Sequence, residues 1–284
     1  MDCFGDSASD EEEDVILRDE SCGVCSFHSN TEASLLLHVR NNSKNNDPID
    51  VLHAIDDFCM SRHWMMHVGP EKGLLLKSIL HDAMNEKASA AVNYANAPFV
   101  AVELGTYCGY AAILLANEFR NASSSLNCHW HTVEIERTYT VIAKEIIQRS
   151  GMGDVVSVHQ ITFDGHDTNV VEVIKDALKS KELSETKQMI DFLFIDHDKD
   201  AYKSDLCKFE SCGLIGKGTK VVADNVIFAN IQNYIDYVQE RQREGIVQTK
   251  TIPCHVEYCG VNFDETDGKQ YQDGIEVTDY LQDP

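Results

Sequence analysis

A short apolar run that ends in a cluster of charges limits what this chain can become. Ile190-Asp-Phe-Leu-Phe-Ile195 is rich in aromatic and β-branched residues, and Asp196-His197-Asp198-Lys199-Asp200 follows without a break. Such a run reads as a strand buried on both faces, the habit of a parallel sheet covered by helices. In open α/β sheets, ligands bind beyond the carboxyl ends of the strands. This strand therefore carries three carboxylates, an imidazole and an amine to the edge where chemistry is done.

The pattern recurs in Thr219-Lys-Val-Val-Ala223, which ends in Asp224-Asn225. If the two strands are neighbours, Asp196, Asp224 and Asn225 converge as two carboxylates and one amide carbonyl. All are hard oxygen donors, the set that suits Mg²⁺. The competing reading makes Asp196 a helix cap and Asp224-Asn225 a turn, since both residue types favour those positions. Recurrence on successive strands favours the metal.

Phe99-Val-Ala-Val-Glu103 reads as the first strand of the sheet, followed by Leu104-Gly105-Thr-Tyr107-Cys-Gly109 and a helix over 111–119. Strand, glycine turn and helix open a nucleotide-binding α/β unit, and the glycines permit close backbone approach to a ligand. Glu103 at that turn suits an ammonium group better than a pyrophosphate. This feature and the incomplete glycine fingerprint disfavour a nicotinamide-dependent oxidoreductase. His131-Thr-Val-Glu134 is the second strand, and an acid at its end is the usual partner of ribose hydroxyls; the bland alternative is a solvated Glu. Further strands are expected over 154–159, 246–250 and 254–263, with a turn at 264–268 and renewed pairing over 271–277. Helices are expected from Ala33, over 50–60, from Pro70 to about Met84, up to Arg149, within 167–187 and over 231–243. Strands alternating with helices indicate one doubly wound α/β domain, mostly parallel.

The net charge of −23 is concentrated at the ends: residues 1–20 hold nine acids against one Arg, and residues 257–284 hold eight against one Lys. No basic face is available to neutralise phosphates, so nucleic-acid binding is excluded as a reading. No apolar run approaches the ~20 residues of a membrane span. Without a secretory pattern, the ten cysteines read as reduced thiols of a cytoplasmic protein. Residues 1–32 read as an acidic tail, disordered through residue 30, and 33–284 as the domain. Cys22-Gly-Val-Cys25 with His28 could open a zinc site, but a second pair at suitable spacing is missing, and an exposed tail is the simpler reading.

Taken in order, these residues resemble the catechol O-methyltransferase family. The likeness rests on Ala54-Ile-Asp56, Trp64 with Met66-His-Val-Gly69, Lys72-Gly73, Glu103-Leu-Gly-Thr-Tyr-Cys-Gly-Tyr110, Val133-Glu-Ile135, Asp196-His-Asp-Lys-Asp200, Glu210-Ser-Cys-Gly-Leu214, Ala223-Asp-Asn-Val226 and Val256-Glu-Tyr258. The resemblance implies a monomeric methyltransferase that uses S-adenosylmethionine and Mg²⁺ on a catechol or other vicinal diol. It implies Asp196, Asp224 and Asn225 as metal ligands, Lys199 as general base and Glu257 as the partner of the second hydroxyl. Val68, Glu103, Gly105, Tyr107, Glu134, Thr162, Asp196 and His197 would line the cofactor site, and Trp64 would wall the acceptor. The chain departs from the family at Asp198, where Trp is usual, at Ala229 for Pro and at Ala111 for Ser. The adenine loop is not recognisable in 160–163, and an insertion around 264–269 follows Glu257. A non-catalytic binding protein on the same scaffold is the alternative function.

Overall fold

Two parallel strands register Ile195 opposite Ala223, so the residues that follow them, Asp196 and Asp224, leave the sheet side by side. These strands, β6 (Phe192–Ile195) and β7 (Lys220–Ala223), are wholly buried, as the continuous apolar pattern requires. The computed structural model describes residues 17–18, 26–27, 30–90, 98–121, 128–165, 167–179, 189–259 and 269–284. Cys22, Cys25, His28, the loop up to Lys187 and the turn expected at 264–268 lie outside them. Leu17–Arg18 (β1) and Ser26–Phe27 (β2) pair antiparallel.

Three helices precede the main sheet: α1 (Thr31–Asn42), α2 (Pro48–Ser61) and α3 (Gly69–Ala90). The first begins two residues ahead of the expected Ala33. Asp47 caps α2 by accepting the Asp50 N–H at 3.0 Å, and Pro48 takes the first helical position, where a missing donor costs nothing. Its inward face is Val51, Leu52, Ile55, Phe58 and Cys59, as the spacing predicts. Helix α3 runs past the expected Met84 to Ala90.

The sheet itself is built from β3 (Phe99–Leu104), β4 (Cys128–Glu134), β5 (Val156–Gln160), β6, β7, β8 (Val247–His255) and β9 (Gln272–Tyr280), alternating with α4 (Tyr110–Asn121), α5 (Arg137–Arg149), α6 (Val170–Lys179), α7 (Tyr202–Ser211) and α8 (Gln232–Arg243). Its strand order is β5-β4-β3-β6-β7-β9-β8; β9 pairs antiparallel with both β7 and β8, and the other pairings are parallel. Apolar cores fill both faces. The chain leaves β3 in one direction for β4 and β5, then returns to β3's other side as β6. That reversal opens a crevice between the ends of β3 and β6, the usual ligand position in such sheets.

The C-terminal strands differ from the sequence expectation. One strand, β8, replaces the two expected around 246–250 and 254–263, and it runs through Pro253. It can do so because it is the sheet's outer strand, where a missing donor breaks no central ladder. The chain then leaves the sheet at Val256, which turns Glu257 toward the crevice.

Gly105 makes the crevice possible. Its φ is +97°, and a Cβ there would stand 2.1 Å from the Asp196 carbonyl oxygen. A side chain would meet both a left-handed conformation and a neighbouring backbone that cannot rotate away. Gly105→Ala should therefore lower stability by ~3 kcal/mol or more, read as a fall in urea midpoint. A midpoint within experimental error of the parent would show that the β3 and β6 ends are not so tightly apposed.

Candidate active site

The crevice is a cavity of about 490 Å³ whose lining includes Trp64, Val68, Glu103, Gly105, Tyr107, Glu134, Asp196, His197, Lys199, Asp224, Asn225 and Glu257. Of the site residues expected from sequence, Thr162 alone is outside this lining. It is exposed in the loop after β5, where its N–H donates to Asn169 Oδ1 at 2.8 Å and its carbonyl accepts the Asn169 N–H. That loop closes on itself instead of on the cavity.

At one end of the cavity the glycine turn is held by carboxylates. The Gly105 and Thr106 amides both donate to Val133 O at 3.1 Å, tying the turn to β4. Tyr107 adopts φ +47°, an uncommon conformation for a bulky residue. Its amide donates to Glu134 Oε2 at 2.8 Å, while Glu134 Oε1 accepts the Glu136 amide at 2.8 Å. Glu134 thus braces the turn, and each oxygen keeps a further lone pair. Glu103 is 1% exposed and accepts Trp130 Nε1–H at 3.0 Å. Burial pushes its carboxyl up to about 8, which favours the protonated form at neutral pH. Burial also drives His67, in the same lining, down to about 3, so its imidazole is neutral.

At the other end, the acids that follow β6 and β7 each carry an ammonium. Lys199 Nζ lies 2.7 Å from Asp196 Oδ1 and 2.8 Å from Tyr202 Oη. Lys72 Nζ lies 2.8 Å from Asp224 Oδ1 and 2.6 Å from Asp273 Oδ2, fully inside the protein. Burial disfavours the Lys72 ammonium, but Asp224 and Asp273 outweigh it and keep the charge. Burial pushes the Asp224 carboxyl up in spite of Lys72. Helix-cap duty in the Asp-rich loop falls to Asp198, which accepts the Asp200 amide at 3.1 Å, leaving Asp196 for other work. Asn225 takes φ +58°, a strained turn position that aims its side chain beside Asp224. Among the described residues no group of three or more His, Cys, Asp or Glu is arranged for a metal. The expected set has only two such residues and is completed by the Asn225 amide.

Two further features were not read from sequence. His197 Nε2 lies 2.8 Å from Asp205 Oδ2 and its ring stacks on Tyr202 at 5.2 Å, while its Nδ1 is buried without a partner. Glu257 Oε1 accepts the Lys72 amide at 2.6 Å, so it caps the start of α3, and its backbone carbonyl accepts Trp64 Nε1–H at 3.0 Å. Burial pushes the Glu257 carboxyl up to about 7. Lys72 and Asp273 escaped notice as site residues. A lysine entering the apolar run Gly73-Leu-Leu-Leu76 hints at burial, but nothing in Gln272-Asp-Gly-Ile275 marks Asp273.

The family model described as O-methyltransferase matches residues 56–249. The chain belongs to the O-methyltransferase family. Among curated relatives, it is 30% identical to catechol O-methyltransferase B of Danio rerio over 247 residues, covering 87% of this chain and 78% of that one. It is 34% identical to a probable O-methyltransferase of Mycobacterium tuberculosis, covering 74% and 78%. Among solved structures, an O-methyltransferase of Bacillus cereus in complex with SAH superposes with TM-score 0.52 at 19% identity, covering 87% of this chain and 90% of that chain. At that identity the likeness concerns the fold, which for this O-methyltransferase is the mixed seven-stranded sheet described above. No helix among the described residues is long and apolar enough to cross a membrane.

The pH response of this O-methyltransferase follows from Glu103 and Glu257. The folded chain keeps Glu103 protonated up to about 8 and Glu257 to about 7, against 4.5 for an ordinary Glu. At these two groups the folded state binds more protons than the unfolded one, while neutral His67 acts oppositely below its ordinary 6.5, so above about 6.5 stability falls as pH rises. Urea unfolding at pH 6.5 and 8.5 should show the loss, and Glu103→Gln should flatten it. An equal loss in that variant would mean that Glu103 ionises normally.

Proposed function

We propose that the chain transfers a methyl group from S-adenosylmethionine to a hydroxyl of a catechol or another vicinal diol, with Mg²⁺ held by Asp196, Asp224 and Asn225. The supporting observation is that one cavity is lined by two chemically distinct ends. One end, with Glu103, Glu134 and the glycine turn, offers acceptors for an ammonium and for ribose hydroxyls. The other gathers oxygen donors and an amine where an acceptor would meet them. The relatives named catechol O-methyltransferases and the neighbours solved with SAH or SAM point the same way.

The donor set fits a hard divalent cation. Asp196, Asp224 and Asp273 are three carboxylates against two ammonium groups, Lys72 and Lys199. A buried excess of negative charge is costly unless a cation compensates it. Each donor of Asp196, Asp224 and Asn225 would be oxygen, which favours Mg²⁺ over softer metals. When bound, the ion would lower the cost of ionising an acceptor hydroxyl.

The chain's own groups would do the rest. Lys199 Nζ, within 2.7 Å of Asp196, would take the proton of a hydroxyl that lies against the ligand set once it has given up its own and stands as the neutral amine. Glu257, with its carboxyl near neutrality, accepts or shares the second hydroxyl's hydrogen. Trp64 packs as a wall, its ring fixed by the bond to Glu257 O. Val68, Tyr107 and His197 border the cofactor. Orientation of donor and acceptor by such walls removes ~7–11 kcal/mol of barrier in favourable cases.

Methyl transfer from S-adenosylmethionine to a panel of catechols, with Mg²⁺ and with EDTA, tests the reading. Product that requires both the vicinal hydroxyls and the metal supports it; metal-independent transfer, or none to any vicinal diol, would sink it. Calorimetric titration of S-adenosylmethionine into Glu134→Ala should show at least tenfold weaker binding, and unchanged affinity would remove Glu134 from the cofactor site.

Asp198 lines the cavity and is exposed, where the family carries Trp. The pocket therefore loses an aromatic wall and gains a charge. Asp198→Trp should lower KM for a neutral catechol, lessen the preference for an amine-bearing one, and leave the Mg²⁺ requirement intact. An unaltered preference would show that Asp198 belongs to the loop and does not face the acceptor.

A further inference from the structure

We infer that Asp273, on the antiparallel strand β9, is the positioning residue that makes Asn225 a metal ligand. The inference rests on the reading of Asp196, Asp224 and Asn225 as a Mg²⁺ set. Asp273 is 0% exposed, and each of its carboxylate oxygens is engaged by the loop after β7 or by α3. Oδ2 accepts Asn225 Nδ2–H at 2.8 Å and Lys72 Nζ–H at 2.6 Å; Oδ1 accepts the Phe228 amide at 3.1 Å.

An ionised carboxylate only accepts, so the Asn225 amide must turn its NH₂ group toward Asp273. Its carbonyl oxygen is then the end left free, and Asn225 lines the cavity. Were the amide reversed, an NH₂ group would face the cavity and repel a cation. Lys72 completes the device. Its ammonium lies between Asp273 and Asp224 and bonds to both. The Phe228 contact extends the same control to the acceptor wall, because Phe228 and Ala229 line the cavity beside Asn225. One carboxylate from an antiparallel strand thus holds both the ligand and the wall that follows it.

Groups that orient a metal's ligands typically contribute ~10–100-fold to metal affinity. The test measures Mn²⁺ binding by electron paramagnetic resonance and Mg²⁺ binding by calorimetry, on the full chain without acceptor. S-adenosylhomocysteine affinity and the urea midpoint are followed in parallel. Asp273→Asn should bind either ion at least tenfold more weakly while S-adenosylhomocysteine affinity stays within about twofold. The exchange Asn225→Asp with Asp273→Asn keeps the total charge and reverses the hydrogen bond. It should restore metal affinity to within about threefold of the parent, and it carries the test if the single variant does not fold. Unchanged metal affinity in Asp273→Asn with a lowered midpoint would reduce Asp273 to a structural role. An equal loss of metal and S-adenosylhomocysteine binding, or an exchange that folds but does not bind metal, would overturn the inference too. A parent chain that binds neither ion removes the metal reading and this inference with it, whereas the other failures leave that reading standing.

Discussion

The closest constraint in the molecule is the meeting of two backbones, where Gly105 at the end of β3 lies against the carbonyl of Asp196 at the end of β6. The two halves of the doubly wound sheet diverge from this point. Residues from the β3–β4 side and residues from the β6–β7 side line one cavity. A methyl group at Gly105 would force these two strand ends apart. The strained turns at Tyr107 and Asn225, each with positive φ, sit on either side of this contact. Such conformations cost ~1–3 kcal/mol each, and here hydrogen bonds from Glu134 and Asp273 hold them in place.

Charge balance is the second organising factor. Buried carboxylates are tolerated when paired and hydrogen-bonded, and removing one partner leaves a charge that the interior cannot solvate. The site respects this rule with Lys72 between Asp224 and Asp273 and with Lys199 on Asp196. Glu103 has no cation in contact and accepts from Trp130, and its carboxyl moves up to about 8 instead of ionising. A ligand ammonium placed against Glu103 would reverse that, and its binding would then be linked to proton release there.

The parts of this arrangement legible in sequence were those encoded locally. The apolar runs Phe192–Ile195 and Lys220–Ala223 announced buried parallel strands, and the acids directly after them announced the cavity, because strand direction alone decides where those residues emerge. The glycine turn was equally plain. Lys72 and Asp273 were not, since their meaning lies in a contact between residues 201 positions apart. No local pattern distinguishes an inward acid on a C-terminal strand from a solvated one. Pro253 poses a related difficulty: a proline argues against a continuous strand unless the strand is known to be outermost. Thr162 was assigned through the family resemblance, but Asn169 binds that loop back on itself.

Glu257 shows how a local and a distant requirement can converge on one side chain. Its Oε1 accepts an amide at the start of α3, where the helix dipole favours negative charge. Burial opposes that charge and sets the carboxyl near neutrality. The absence of a Cβ at Gly69, which would stand 2.7 Å from the Glu257 carboxylate, leaves room for this approach. A carboxyl held between these opposing influences can change protonation with little free-energy cost as a hydroxyl arrives or departs. Because the same group caps the helix that carries Lys72, any shift in its protonation acts on the segment that neutralises Asp224. Glu257 and Asp224 are therefore joined through the first turn of α3, as well as through the loop held by Asp273.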